Sequence, residues 1–150
     1  MPCLALPCRS VKISDMPCPL CSPTAETLLW SDAFCRVIWV EDAAYPGFCR
    51  VVLNAHVKEM TDLPAAERQR LMNVVFAVEA VVREVAQPDK INLASLGNMV
   101  PHVHWHVIPR WTDDPKFPDS IWSAARRESV LRALPGDLQA RIAARLATTL

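Results

Sequence analysis

The sequence predicts an α+β fold: an antiparallel sheet of about five strands with one long helix and short C-terminal helices. Three observations lead there. Strand-like and helix-like runs are segregated along the chain rather than alternating, which favours an antiparallel sheet over βαβ units. One long stretch carries apolar residues at helical spacing over several turns, and one strand-like run alternates apolar residues with histidines.

Residues 1–15 show no periodicity and are expected to form a loosely ordered leader, with residues 16–150 forming a single domain. Residues 34–40 and 48–53 are rich in β-branched and aromatic side chains. Tyr45-Pro46-Gly47 between them suits a turn, so the two runs are expected to be neighbouring antiparallel strands. Thr61-Asp62-Leu63-Pro64 opens the long helix, with Asp62 or Thr61 available as a cap and proline tolerated in the first turn. Leu71, Val75, Val78, Val82 and Val85 fall on one helical stripe, and Val74, Ala77 and Val81 add a second strip beside it. A helix that packs only on its own sheet needs a narrower apolar face. A second burial surface is therefore expected, most simply a partner subunit in a homodimer. Gln87-Pro88-Asp89 ends the helix.

Residues 91–93 read as a short strand, Gly97-Asn98 as a turn and residues 100–110 as a long alternating strand. A proline-broken loop covers residues 113–122; its Phe117, Pro118, Ile121 and Trp122 form an apolar cluster suited to core packing, to the site or to a partner contact. Two helical patterns follow, 124–134 and 137–146, separated by Pro135-Gly136.

The chain has 150 residues, 51% of them hydrophobic, and balances 16 Lys+Arg against 16 Asp+Glu. That composition suits one compact domain and excludes a disordered chain. The absence of a basic surplus gives no support to nucleic-acid or membrane-surface binding, while a small anionic ligand needs only a local site. No stretch approaches the ~18 apolar residues of a membrane span. The N-terminus lacks a basic start and is broken by prolines, so it makes a poor signal peptide, and a cytoplasmic setting is expected. In such a reducing compartment the six cysteines are expected as thiols or metal ligands rather than disulfides. Cys3, Cys8, Cys35 and Cys49 read as small hydrophobes; only Cys18 and Cys21 stand at a meaningful spacing.

The chemistry is concentrated in His102-Val103-His104-Trp105-His106. Alternate residues of a strand share a face, so the histidines are expected on one side and Val103, Trp105 and Val107 on the other, as a core face. Three imidazoles make a poor core surface, so their side is expected to be solvated or to line a site. Neighbouring histidines would lie roughly 6.6 Å apart and the outer pair roughly 13 Å. Adjacent members could share a metal ion, the outer two hardly, and the row matches a chain of phosphates better than one ion. Imidazole, with a pKa of ~6.5, serves as nucleophile, proton donor or hydrogen-bond donor near neutral pH. Cys18-Pro19-Leu20-Cys21 has metal-ligand spacing but supplies only half a tetrahedral site. The prolines at positions 17 and 19 argue against a thioredoxin-like redox role.

The run from His102 to Ile108 resembles the histidine triad signature: His, apolar, His, apolar, His, then two apolar residues. Gly97-Asn98-Met99-Val100 before it, Ile108-Pro109-Arg110 at its exit and Asn92 on the preceding strand extend the likeness, nearest to a bacterial branch described as diadenosine tetraphosphate hydrolase-like. The resemblance covers roughly residues 18–122. It implies a histidine triad-like fold that dimerises into a continuous two-subunit sheet. It implies a nucleotide hydrolase or transferase acting at the α-phosphate of a dinucleoside polyphosphate or nucleoside phosphoramidate, through a covalent nucleotidyl-histidine. By resemblance His104 is the nucleophile, His106 contacts the scissile phosphate and aids the leaving group, and Asn92 and Asn98 donate to phosphate oxygens. Arg110 is either a phosphate partner or a surface cation. The resemblance also implies a structural zinc held by Cys18, Cys21, His56 and His102, and no organic cofactor. The chain departs from the pattern at Phe48, where some animal relatives carry histidine, and in the short loop between Asn92 and Gly97. Two other functions compete: a non-catalytic nucleotide-binding module, and a metal-dependent phosphohydrolase in which His102 and His104 share a catalytic ion. The intact middle histidine argues against the binding module.

Overall fold

A computed structural model describes residues 18–132 and 134–150; the expected leader, with Cys3 and Cys8, lies outside the described residues. Five strands, β1 (Thr27–Ser31), β2 (Cys35–Trp39), β3 (Cys49–Leu53), β4 (Lys90–Ala94) and β5 (His104–Arg110), form one antiparallel sheet in the order β1-β2-β3-β5-β4. Helix α1 (Ala65–Ala86) links β3 to β4, and α2 (Leu138–Thr149) ends the chain. The fold is α+β. No helix among the described residues is long and apolar enough to cross a membrane.

The register sorts the two faces. Val37 of β2, Val51 of β3 and Trp105 of β5 lie in one row, and Trp39, Cys49, Val107 and Leu93 in the next. These residues, most of them fully buried, form the main core with α1. Arg50, opposite His106, and Val52, opposite His104, belong to the other face. There Tyr45, Phe48, Ile108 and Ile121 make a smaller second core. The Tyr45-Pro46-Gly47 turn joins the faces. Gly47 has φ 96°, where a side chain would be strained, and a Cβ there would press on Ala86 and Pro109 at 3.5 and 3.6 Å.

Helix α1 begins later than the capping reading expects. Met60–Asp62 forms a separate 3-10 turn, and Pro64 occupies the N-cap position without a side-chain cap bond. At the far end Gln87 adopts the left-handed conformation (φ 49°) that closes many helices, and Pro88 prevents continuation.

Both apolar strips of α1 are buried within this chain. Val74 and Val81 join the same core as Leu138, Ile142 and Leu146, the i, i+4, i+8 stripe of α2. The second burial surface that suggested a partner subunit is thus supplied by the chain's own C-terminal helix. An exposed Arg145–Glu84 ion pair (2.9 Å) bridges the two helices.

Two further expectations are corrected. The pattern over 124–134 does not form a helix in its described residues. The amides of Arg126 and Arg127 bond to the Pro115 carbonyl, and the Arg127 side chain reaches the carbonyls of Thr112, Asp114 and Phe117. The segment is spent as a strap over the preceding loop, and its apolar residues Val130 and Leu131 have nothing to bury against. The strand expected from residue 100 starts only at His104. Pro101 has no N–H to give a ladder, and the His102 N–H turns back to the Val100 carbonyl (2.8 Å).

Candidate active site and metal-binding cluster

The three alternating histidines do not form one row. His104 and His106 stand side by side on β5 with ring centroids 4.9 Å apart. His102 lies before the strand, its ring 5.1 Å from that of His56. All three are buried, at 1%, 7% and 5% exposure in chain order, so of the two expectations for this face, solvated or lining a site, the solvated one does not hold. Phe48 and Trp122 cover His106, with ring centroids at 5.7 and 5.3 Å.

Backbone carbonyls settle where two of these rings carry their protons. The Nδ1 of His104 lies 2.6 Å from the His102 carbonyl, which only accepts, so Nδ1 is the protonated nitrogen of the neutral ring. The Nε2 lone pair of His104 is left free for nucleophilic attack. The Nε2 of His102 lies 2.7 Å from the Leu53 carbonyl, which frees its Nδ1 lone pair instead. Burial above all lowers the pKa of both rings, working against the carbonyl contacts that raise it. Burial, the Arg50 guanidinium and His104 together hold His106 down at about 4. The Ser95 hydroxyl donates to the His104 carbonyl (2.9 Å) and pins the start of β5.

The freed Nδ1 of His102 points into a cluster of like-natured atoms. It lies 3.5 Å from each of the Cys18 and Cys21 sulfurs and 3.2 Å from the His56 Nδ1, itself 3.1 Å from the Cys21 sulfur. One ligand atom from each of Cys18, Cys21, His56 and His102 lies within 4.8 Å of all the others. Tetrahedral sites with metal–nitrogen bonds of ~2.0–2.1 Å and metal–sulfur bonds of ~2.3 Å need ligand separations of this size. Desolvation and the neighbouring Cys18 push the Cys21 thiol up, and the Arg36 guanidinium works against them. The donors fit a metal ion, and the cluster could hold one. Cys18 and Cys21 are brought together by a tight turn in which the Cys21 and Ser22 amides bond to the Cys18 carbonyl. Arg36 anchors that turn through the Leu20 carbonyl (2.8 Å) while paired with Glu26. His104 is not one of the four residues whose ligand atoms meet in this cluster. A cleft of about 1180 Å³ opens beside this cluster, between residues 56–61 and 95–103; His104 and His106 are not among its walls.

The remaining expected site residues divide. Asn98 is exposed on the wall of that cleft, and no hydrogen bond joins it to His104 or His106. Arg110 is neither a surface cation nor a free phosphate ligand. It is 1% exposed, with Nε and Nη2 donating to both oxygens of Asp114 (2.7 and 3.1 Å) and Nη2 also to the Asp119 carbonyl (2.8 Å). Its Nη1 donates to the Asn92 Oδ1 (2.6 Å), so the carboxamide oxygen of Asn92 is occupied too, opposite Ile108 rather than a histidine. Together they tie the 111–123 loop, and with it Trp122, to the sheet.

Arg50 and Trp122 adjoin His106; Arg50 was not a sequence candidate for the site, and Trp122 was one only as part of the apolar cluster. A signal for Arg50 existed: it is the lone charge in an otherwise apolar strand, CRVVL. Trp122 had none beyond its place in the apolar cluster.

A five-strand antiparallel sheet with a long helix on one face and alternating histidines on the other defines a histidine triad protein. The family described as HIT domain matches residues 24–113, more than half of the chain, and the chain belongs to it. Over 78 residues the chain is 32% identical to an AP-4-A phosphorylase of Mycobacterium tuberculosis, a match covering 48% of this chain and 40% of that protein. Over 83 residues it is 31% identical to a bis(5'-nucleosyl)-tetraphosphatase (asymmetrical) of Schizosaccharomyces pombe, covering 52% and 46% respectively. Each match thus spans less than half the length of the curated relative. Among solved structures, the chain is similar to a histidine triad protein from Marinobacter aquaeolei VT8, with 27% identity and a TM-score of 0.69 over 83% of this chain and 91% of that one. A histidine triad protein from Sinorhizobium meliloti 1021 gives 26% identity and a TM-score of 0.66, over 83% and 90%.

Proposed function

We propose that this chain is a nucleotide hydrolase or transferase that cleaves at an α-phosphate through a covalent nucleotidyl-histidine on His104. The observation that carries the reading is the bond from the His104 Nδ1–H to the His102 carbonyl, which leaves Nε2 as a fixed, unprotonated nucleophile. In the first step Nε2 attacks the α-phosphorus and the bond to the leaving group breaks, its electron pair departing with that group. In the second, water attacks the same phosphorus, the P–N bond returns its electrons to Nε2, and one water proton passes to solvent. His106, 4.9 Å away, contacts the scissile phosphate and helps the leaving group depart. In this reading the carboxamides of Asn98, exposed on the wall of the cleft, and of Asn92 donate to phosphate oxygens, while Arg110 acts through the loop it holds. Likeness to relatives named for dinucleoside tetraphosphates supports a dinucleoside polyphosphate substrate, with a nucleoside phosphoramidate as the other class.

Cys18, Cys21, His56 and His102 would hold zinc. Four protein ligands leave no open position, so the ion would be structural, fixing the residues before β5. The free thiols at Cys35 and Cys49 support a cytoplasmic setting. Residues 16–150 act as one domain in this reading, and a homodimer with a continuous sheet would form through one of the two edge strands, β1 or β4.

Intact-mass analysis after mixing with a dinucleoside tetraphosphate or a nucleoside phosphoramidate tests the proposal. Wild type should carry a nucleotidyl adduct and His104→Ala none. A wild type that forms no adduct and cleaves neither compound sinks it, and retention without turnover would mark a binding module.

A further inference from the structure

Arg50 is a charged group beside the histidine pair that the chemistry above leaves unused. Register places it directly across from His106 on the same face of the sheet. Its Nε–H donates to the His106 Nδ1 at 3.4 Å, and its guanidinium lies 5.9 Å from the Phe48 ring centroid. Arg36 and Arg110, also withdrawn from water, each clasp a carboxylate. Arg50 faces none, and its Nη groups make no hydrogen bond among the described residues. A half-buried guanidinium without a counter-ion is costly unless an anion arrives to complete it.

The Nε contact has a second effect. A ring nitrogen that accepts from Arg50 carries no proton, so neutral His106 holds its proton on Nε2. The neighbouring histidines are therefore held in opposite tautomers: His104 offers a lone pair at Nε2, His106 an N–H. A neutral imidazole in this state donates a hydrogen bond but does not give its proton away, since it would become an imidazolate. An amine leaving group needs a proton; a phosphate leaving group does not.

We propose that Arg50 is the phosphate-binding cation of this site and selects substrates whose leaving group is a polyphosphate anion over those whose leaving group is an amine. The inference rests on the reading of His104 as nucleophile toward a nucleotide. In the step it describes, the His104 Nε2–phosphorus bond forms and the bridging P–O bond breaks. The electron pair stays on the bridging oxygen, and the Arg50 Nη groups and the His106 Nε2–H hydrogen-bond the departing anion; no proton moves. The low pKa of His106, set by burial and by Arg50, agrees with a ring that stays neutral throughout.

The test compares wild type, Arg50→Gln and Arg50→Lys on a dinucleoside tetraphosphate and a phosphoramidate of the same nucleoside, with thermal melts to establish folding. Arg50→Gln should lower kcat/KM for the tetraphosphate roughly 100-fold, as loss of one charge-stabilising donor does, and change the phosphoramidate less than about 3-fold. Arg50→Lys keeps the charge but loses the fork, and should recover about 10-fold of the tetraphosphate loss. Independently of turnover, ¹⁵N NMR of His106 should report an Nε2–H tautomer that shifts on adding inorganic pyrophosphate to wild type, and not in Arg50→Gln. Equal losses on both substrates, or none, overturn the inference while leaving His104 chemistry standing. Pyrophosphate binding through Arg50 in a wild type that cleaves neither substrate would instead overturn the proposed function and keep Arg50 as an anion site.

Discussion

Removing the Asp114 carboxylate should destabilise this protein more than any change at the histidines. Asp114→Ala leaves the Arg110 guanidinium, 1% exposed, without its counter-charge. Breaking a buried ion pair from one side costs about 3–5 kcal/mol. The same carboxylate oxygen accepts from the amides of Lys116 and Phe117 (2.9 and 2.8 Å), which lose an acceptor worth roughly 1 kcal/mol each. Burial pushes the Asp114 carboxyl upward, but Arg110 and those amides outweigh it and hold the carboxyl below its usual range. The expected loss is therefore about 5 kcal/mol, a large part of a typical domain's stability. Arg110→Met should cost less, about 3 kcal/mol, because Asp114 keeps its amide donors. The Arg110→Met/Asp114→Ala double variant should fall short of the sum by more than about 1 kcal/mol. Urea unfolding followed by tryptophan fluorescence reads all three. A loss under about 1 kcal/mol for Asp114→Ala would refute the buried-pair account. An Arg110→Met enzyme of full stability with a raised KM would return Arg110 to the phosphate site.

Other outcomes follow from the packing and the titrating groups. Ile142→Ala should cost about 2–5 kcal/mol by opening a void between α2 and α1, whereas a near-neutral result would mean that α2 is not what covers Val74 and Val81. His106 titrates near 4 in the fold against ~6.5 unfolded, so the unfolded chain binds the extra proton between those values. Its contribution, up to about 3 kcal/mol, is complete above pH 6.5 and is lost as pH falls toward 4. Denaturant midpoints for His106→Asn should accordingly fall less steeply between pH 7 and 4.5 than those of wild type, and parallel curves would contradict the assignment. Burial pushes the Cys35 and Cys49 thiols up to about 12. Iodoacetamide at pH 8 should leave both unlabelled in the native protein by peptide mapping, and labelling of either would show the core to be open.

The parts of this molecule that announce themselves in the sequence are those whose pattern repeats. The stripes of α1, the β2–β3 runs and the alternation around His104 each reflect a single local periodicity. The reading fails where distant chain decides the outcome. Val74 and Val81 look like an interface until α2, some sixty positions on, is seen to lie across them. Residues 124–132 carry a helical pattern, yet their amides and Arg127 are claimed by the 111–123 loop. Arg110 reads as a free cation because its partners include a backbone carbonyl, Asp119, that no pattern marks. The assignment of His102 to the cysteine pair came from resemblance. Periodicity alone placed it in a row with His104, because nothing local shows that Pro101 ends the ladder.

The tautomers of His102 and His104 are set by the main-chain oxygens of Leu53 and His102. Every amino acid has such an oxygen, so mutation at position 53 replaces a side chain and leaves the acceptor in place. The ring of His106 is addressed differently, by the side chain of Arg50, which a single codon change can remove. Proton placement in this site is thus heritable in two grades, one insulated from substitution and one exposed to it. Divergence in leaving-group preference among chains of this kind is expected to run through position 50 long before it touches the nucleophile.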